Sequence, residues 1–296
     1  MARFFLTLQY DGTNSYGWQR QNNAHTTIQA AIEKAIADLV GAPVSVVGAS
    51  RTDAGVHARR TAAHVDIETR LRGEELRRAI DVRLPSDVSL IALEEVAADF
   101  HCRHRALGKC YAYRVHNARH RSPLAERNAW FCPRELDVAA MRDAAKPLVG
   151  EHDFSAFATL LSDYPNKLTS QPDPERPDKP EGNVRTLHAI EILQRGHLLT
   201  FLVFGDGFLR GMVRGVVGTL IDAGLGKLTQ TDVEKILVSR DRREAGANLP
   251  ANGLTLEAVF YDRAEMERWL ARASEAAKDE RMSLPGSVSS PLELLG

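Results

Sequence analysis

Two hydrophobic periods alternate along this chain, and the order in which they alternate is the strongest constraint on its fold. Phe4, Leu6, Leu8 and Tyr10 fall on one face of the opening segment, and Phe5, Thr7 and Gln9 on the other. That period of two is what a half-buried strand requires. Asp11-Gly12 ends it as a turn. Ile28, Ala31, Ile32, Ala35, Ile36 and Leu39 then recur at helical spacing behind a cap at Thr26 or Thr27, and Gly41 and Pro43 stop that helix. Strands are expected at residues 44–47 and 62–67 around a loop at 48–57, then a helix near 73–82 and a strand at 88–93. Strand, helix, strand, strand, helix, strand is the order of a ferredoxin-like, split βαβ unit.

A second unit of the same kind follows. It has a strand at 109–116, a helix at 137–148, a hairpin at 188–193 and 198–204 about Arg195-Gly196, helices at 208–223 and 230–238, and a strand at 254–261. The expected class is α+β, with two split βαβ units forming a mainly antiparallel sheet. The expected divisions are an N-terminal domain at 1–105, a C-terminal domain at 106–262, and a helical extension with a tail at 263–296. The run at 166–183, with four prolines and many charges, reads as a solvated loop.

Hydrophobic residues make up 44% of the chain, enough apolar surface to offset chain entropy, so a disordered polymer is excluded. No run of about 18 apolar residues exists to cross a membrane. The segment MARFFLTLQYDG lacks the features of a secretory signal. Three cysteines, Cys102, Cys110 and Cys132, do not make a disulfide framework. A reducing, cytoplasmic setting is expected. His101, Cys102, His104, Cys110 and Cys132 also lack paired zinc spacing, so no metal is expected.

The formal net charge is −1, yet residues 101–127 carry seven Arg and Lys against one acid, with four histidines beside them. A phosphate backbone responds to such a local patch rather than to the total. Read alone, the segment is either a solvated basic surface or a phosphate grip.

The loop Gly48-Ala-Ser-Arg-Thr-Asp-Ala-Gly-Val-His57 is the candidate for chemistry. Arg51 and Asp53 lie two apart, so in extended backbone they share a side. An aspartate beside arginines stays ionised. An arbitrary loop of this kind is most simply a capped turn with an internal ion pair. Here RTDAGVHA resembles the catalytic loop of the TruA family of tRNA pseudouridine synthases. The likeness extends to YDGTNSYGWQRQ at 10–21, TIQ at 27–29, DFHCR at 99–103, KCYAY at 109–113, HDFSAF at 152–157, FLRGMVR at 208–214 and GLTL at 253–256. It covers about residues 3–262, in order. Ser50 and the pair Arg60-Thr61 depart from the family's usual residues, as does the stretch 81–85.

The resemblance implies conversion of uridine to pseudouridine in the anticodon stem-loop of tRNA, at positions 38, 39 and 40, with no cofactor. It implies that Asp53 is the essential catalytic residue, as nucleophile at C1′ or as base at C2′. By the same carry-over Tyr111 stacks on the uracil, Arg214 ion-pairs with Asp53, Leu254 packs against the base, and Arg51 holds the extruded nucleotide. Arg103, Arg105 and Arg121 are the expected phosphate contacts. tRNA is the expected partner, with a homodimer expected on resemblance alone. Two other classes remain to be weighed: an RNA-binding module with an inert Asp53, and a nucleoside hydrolase, for which a second carboxylate is missing.

Overall fold

The computed structural model describes residues 1–21, 26–159 and 182–278. Most of the proline-rich run and the expected tail beyond 282 lie outside these residues. Contacts divide the chain into two compact units, Met1–Leu107 with Thr255–Tyr261, and Gly108–Leu254 with the residues from Asp262 onward.

The first unit contains β1 (Ala2–Tyr10), α1 (Ile28–Val40), β2 (Val46–Gly48), β3 (His57–Ile67), α2 (Gly73–Asp81) and β4 (Val88–Val96). β1 is central, antiparallel to β3 on one side and to β4 on the other, and β2 pairs antiparallel with residues 63–65 of β3. The order β4-β1-β3-β2 is that of the split βαβ unit read from the periodicity. Phe4, Leu6, Leu8 and Tyr10 are all at most 3% exposed, so the face predicted to point inward does so. Against it α1 buries Ile28, Ile32, Ala35 and Ile36, and α2 buries Leu76 and Ile80. Each such large side chain contributes roughly 1.5–3 kcal/mol through burial.

The second unit contains β5 (Gly108–Asn117), β6 (Trp130–Cys132), α3 (Val138–Ala145), β7 (Gly150–Asp153), β8 (Val184–Arg195), β9 (Leu198–Gly205), α4 (Met212–Gly224), α5 (Gln230–Ser239) and α6 (Arg263–Lys278). β5, β9, β8 and β7 pair antiparallel in that order, with Tyr111 opposite Val203, while β6 runs parallel to the end of β5. Asp137 caps α3, and Thr229 with Asp232 forms a capping box on α5. The last turn of α6 is held from outside the helix. Arg142 donates to the Ala277 carbonyl and Arg195 to the Ala276 carbonyl, satisfying oxygens that the helix itself leaves open.

The last strand, β10 (Leu254–Phe260), contributes to the first unit from Thr255 on. It runs parallel to β3, Thr255 opposite His57 and Leu256 opposite Ala58. β3 therefore starts at His57, five residues before the alternation at 62–67. Arg59 and Arg60 hide this part of the strand from a hydrophobic pattern. Arg59 reaches Glu257 on β10 at 3.0 Å, and Glu257 is buried. Helix α4 starts at Met212 rather than at 208, because Gly211 sits in the left-handed region at φ +71° and a helix cannot run through it.

Candidate active site

The loop between β2 and β3 carries Arg51 and Asp53, and its backbone is clamped from outside. Trp18 N–H donates to the Thr52 carbonyl at 3.0 Å, and Gly55 N–H donates to the Ser15 carbonyl at 3.2 Å. Within the loop, Val56 N–H donates to the Asp53 carbonyl, and at its start Ala49 N–H donates to the Ala62 carbonyl of β3. Thr52 turns inward and is 8% exposed, its hydroxyl 2.8 Å from the Tyr10 hydroxyl. Arg51 is exposed and Asp53 half-buried, so the two charged groups flank an inward anchor and face the opposite way. Arg51 meets no hydrogen-bond or ion-pair partner among the described residues.

The clamp explains why the segment 10–21 accompanies the loop. Gly17 has φ +93°, and a Cβ there would lie 2.6 Å from the Thr52 carbonyl oxygen and 3.1 Å from the Asp53 carbonyl carbon. Only glycine lets this backbone cross the loop so closely. Trp18 is 1% exposed, with its ring against Gly48 at the end of β2. Just below, His57 Nδ1 lies 3.1 Å from both the Gly12 N–H and the Asp11 carboxylate.

Helix α1 completes the brace. The Ile28 and Gln29 N–H groups, orphans at a helix start, donate to the Gly17 and Trp18 carbonyls. The Gln29 side chain accepts from the Arg20 N–H and donates to the Val46 carbonyl on β2. Glu33, 7% exposed, accepts from the Val46 N–H and pairs with Arg20 at 3.2 Å. Tyr10, Trp18, Gln29 and Thr52, which the sequence marked only as members of motifs, thus brace the loop.

Also in the first unit, Arg103 and Arg105 project from a turn closed on His101. Arg105 N–H donates to the His101 carbonyl, and Arg103 N–H donates to His101 Nδ1 at 3.2 Å. Both arginines are exposed, and Arg105 pairs with Asp99 at 3.5 Å. His101 stacks on His104 with centroids 3.7 Å apart and meets His64 edge-on at 4.8 Å. Burial pushes the His64 pKa down to about 4, and the neighbouring His101 and Arg3 push it the same way. Cys102 N–H donates to His64 Nδ1 at 3.4 Å, which suits a neutral ring. Arg3 grips Asp66 through two bonds of 2.7 Å, which hold that carboxyl below the usual carboxylate range.

The second unit carries Tyr111, Arg121, Arg214 and Leu254. Tyr111 is 5% exposed on β5, edge-on to Phe208 with centroids 5.0 Å apart. Tyr113, two residues on, is fully buried, and its hydroxyl donates to the Pro250 carbonyl at 2.8 Å. Arg214 lies in the first turn of α4, its Nε donating to the Leu249 carbonyl at 2.5 Å. Leu254 opens β10 at 7% exposure. Arg121 lies in the exposed loop before β6 and is paired with Glu126. The basic run 101–127 is thus shared between the units, with Arg103 and Arg105 on one and Arg121 on the other. Among the described residues no group of three or more His, Cys, Asp or Glu is placed to hold a metal ion, and no helix is long and apolar enough to cross a membrane.

An α+β chain with mainly antiparallel pairing and six helices among its described residues has the architecture of the pseudouridine synthases. The chain belongs to the tRNA pseudouridine synthase family, whose model matches residues 7–105 and 144–262. It is 35% identical over 261 residues to tRNA pseudouridine synthase A 2 of Bacillus cereus strain ZK / E33L. It is 38% identical over 261 residues to tRNA pseudouridine synthase A of Acetivibrio thermocellus, and 38% identical over 263 residues to tRNA pseudouridine synthase A 2 of Clostridium perfringens. Each match covers 88% of this chain and the whole of the relative. The chain is accordingly an isomerase that acts on uridine in tRNA. The family match stops at residue 262, before α6.

Proposed function

We propose that this isomerase acts on the anticodon stem-loop, at tRNA positions 38, 39 and 40, with Asp53 as its essential carboxylate and without a cofactor. The observation behind this reading is the clamped loop, which turns Arg51 and Asp53 outward from a backbone that cannot easily yield. Positioning of that kind is what a carboxylate needs to reach one atom of a ribose. Asp53 either attacks C1′ or removes the C2′ proton to give a glycal. Both routes free uracil at N1, and rejoining it through C5 changes no oxidation state. Tyr111 stacks on the base, and its phenol is the acceptor for the C5 proton. Leu254 packs against the ring, and Arg214 steers the Asp53 carboxylate. Arg51 occupies the place of the extruded nucleotide, whose unpairing costs a few kcal/mol. Arg103, Arg105 and Arg121 meet phosphates. The working form is a cytoplasmic homodimer.

The test is release of tritium from tRNA labelled at uridine C5, together with pseudouridine mapping in tRNA from cells with and without the protein. Loss of pseudouridine at 38–40 alone is expected. Free uracil as the product, or loss at other positions only, overturns the reading.

A further inference from the structure

The motif KCYAY contributes two tyrosines, and the proposed mechanism uses only Tyr111. Tyr113 is nevertheless held both at its ring and at its hydroxyl. It is fully buried on β5, and its ring lies directly beneath Gly253. A Cβ on Gly253 would fall 2.7 Å from the ring's Cζ, so ring and backbone are already in contact. Gly253 leads straight into Leu254. The hydroxyl end of the same ring donates to the Pro250 carbonyl at 2.8 Å. The residue before Pro250 is Leu249, which holds Arg214 at two points. The Leu249 carbonyl accepts from Arg214 Nε, and the Leu249 N–H donates to the Arg214 carbonyl at 3.4 Å.

We infer that Tyr113 is a positioning residue for the isomerisation: it fixes the 249–254 segment from below, and through Leu249 it sets the direction of Arg214. The inference rests on the proposed role of Arg214. Burial pushes the phenol well above its ordinary pKa, against the pull of the nearby Arg214 charge, so it stays a donor at every working pH. A Phe at 113 keeps the ring under Gly253 but leaves the Pro250 carbonyl without its donor. The 249–250 backbone then loses its fixed height, and the guanidinium it holds moves with it.

The experiment is a double-mutant cycle read in single-turnover rates on tRNA, with enzyme in excess. The variants are Tyr113→Phe, Arg214→Ala and the pair, with tRNA affinity and thermal melting measured beside the rates. Tyr113→Phe is expected to lower the rate about 10- to 100-fold, the scale of an ångström of misplacement, with affinity within about two-fold. In the Arg214→Ala background the same change is expected to lower the rate less than about two-fold further. Tyr261→Phe is the control. It removes the same kind of bond, from a largely buried phenol to the Cys102 carbonyl at 2.6 Å, and is expected to lower the melting temperature without changing the rate. Losses that multiply in the double variant overturn the inference alone. A full rate in Arg214→Ala overturns the role of Arg214 and the inference with it. If Tyr113→Phe does not fold, Gly253→Ala, whose Cβ would press on the ring at its hydroxyl-bearing carbon and on the Arg114 carbonyl oxygen at 2.9 Å, takes its place with the same expectations.

Discussion

Gly17→Ala tests whether the clamp on the loop of Asp53 matters to the reaction rather than to folding alone. The new Cβ would stand 2.6 Å from the Thr52 carbonyl oxygen, 3.1 Å from the Asp53 carbonyl carbon and 3.2 Å from the Ala54 nitrogen. All three are backbone atoms, so no side chain can swing aside. Ordinary contact begins near 3.4 Å, and Thr52 must retreat by about 0.8 Å. Its inward side is held by Tyr10 and its carbonyl by Trp18, so the retreat pulls against both bonds and carries Asp53 with it. Displacement of a catalytic group by about 1 Å lowers rates up to about 10²-fold. The expected single-turnover rate is therefore about 10- to 100-fold below that of the unaltered chain. Alanine at φ +93° also costs roughly 1–2 kcal/mol of stability on its own account. Gly41→Ala separates the two effects. Gly41 has φ +74°, but nothing lies within 4 Å of its missing Cβ. It should lose comparable stability and keep its rate. If Gly17→Ala, folded at the assay temperature, turns over within about three-fold of the unaltered chain, the loop does not need this brace.

Asp53→Asn keeps the shape of the side chain but can neither attack nor accept a proton. Tritium release should fall at least about 10²-fold while tRNA binding persists. Arg51→Ala should slow stem-paired uridines more than unpaired ones, since less unpairing work remains in the second case. Equal losses on matched substrates would tie Arg51 to Asp53 instead. Neutralising Arg103, Arg105 and Arg121 together should reduce the slope of log affinity against log salt by about one unit per lost phosphate contact, and an unchanged slope removes them from the RNA surface. His64 gives a pH signature. Its folded pKa of about 4 lies below the unfolded value of 6.5, so the unfolded chain takes up the proton first and stability falls as pH drops from 6.5 towards 4. The loss attributable to His64 is about 2 kcal/mol by pH 5. His64→Gln should flatten that part of a melting-temperature curve, and an unaltered curve would mean that the ring is already charged in the folded protein.

The elements that were plain in the sequence are those with a long apolar period. β1 and α1 each offer four or more inward residues, and both ends of α1 are marked by Thr27 and Gly41. β6 and β7 offered nothing of the kind, being three and four residues long, with Gly-Glu-His-Asp carrying no apolar face. The first half of β3 was hidden by Arg59, whose partner Glu257 is nearly two hundred residues away in sequence. The candidate site was legible as a row of motifs. What the motifs could not tell was the division of labour within them. That Thr52 is the anchor between Arg51 and Asp53, that Gln29 ties α1 to β2, and that the hydroxyl of Tyr113 is already committed are facts of contact at long sequence distance.

The first unit is not continuous in the chain. Its parallel partner for β3 and the acid that meets Arg59 arrive with β10, after the 147 residues 108–254 that build the second unit. On a ribosome moving at about 5–20 residues per second, the loop of Asp53, its clamp and α1 emerge roughly 10–40 s before the strand that finishes their sheet. The growing chain therefore carries an unpaired stretch of β3 next to Asp53 throughout that interval. Unpaired strand edges of this kind are where nascent proteins aggregate. The exposed row at His57–Ala58 starts a run that continues with Arg59 and Arg60, two charges that oppose pairing with a second chain until β10 is made.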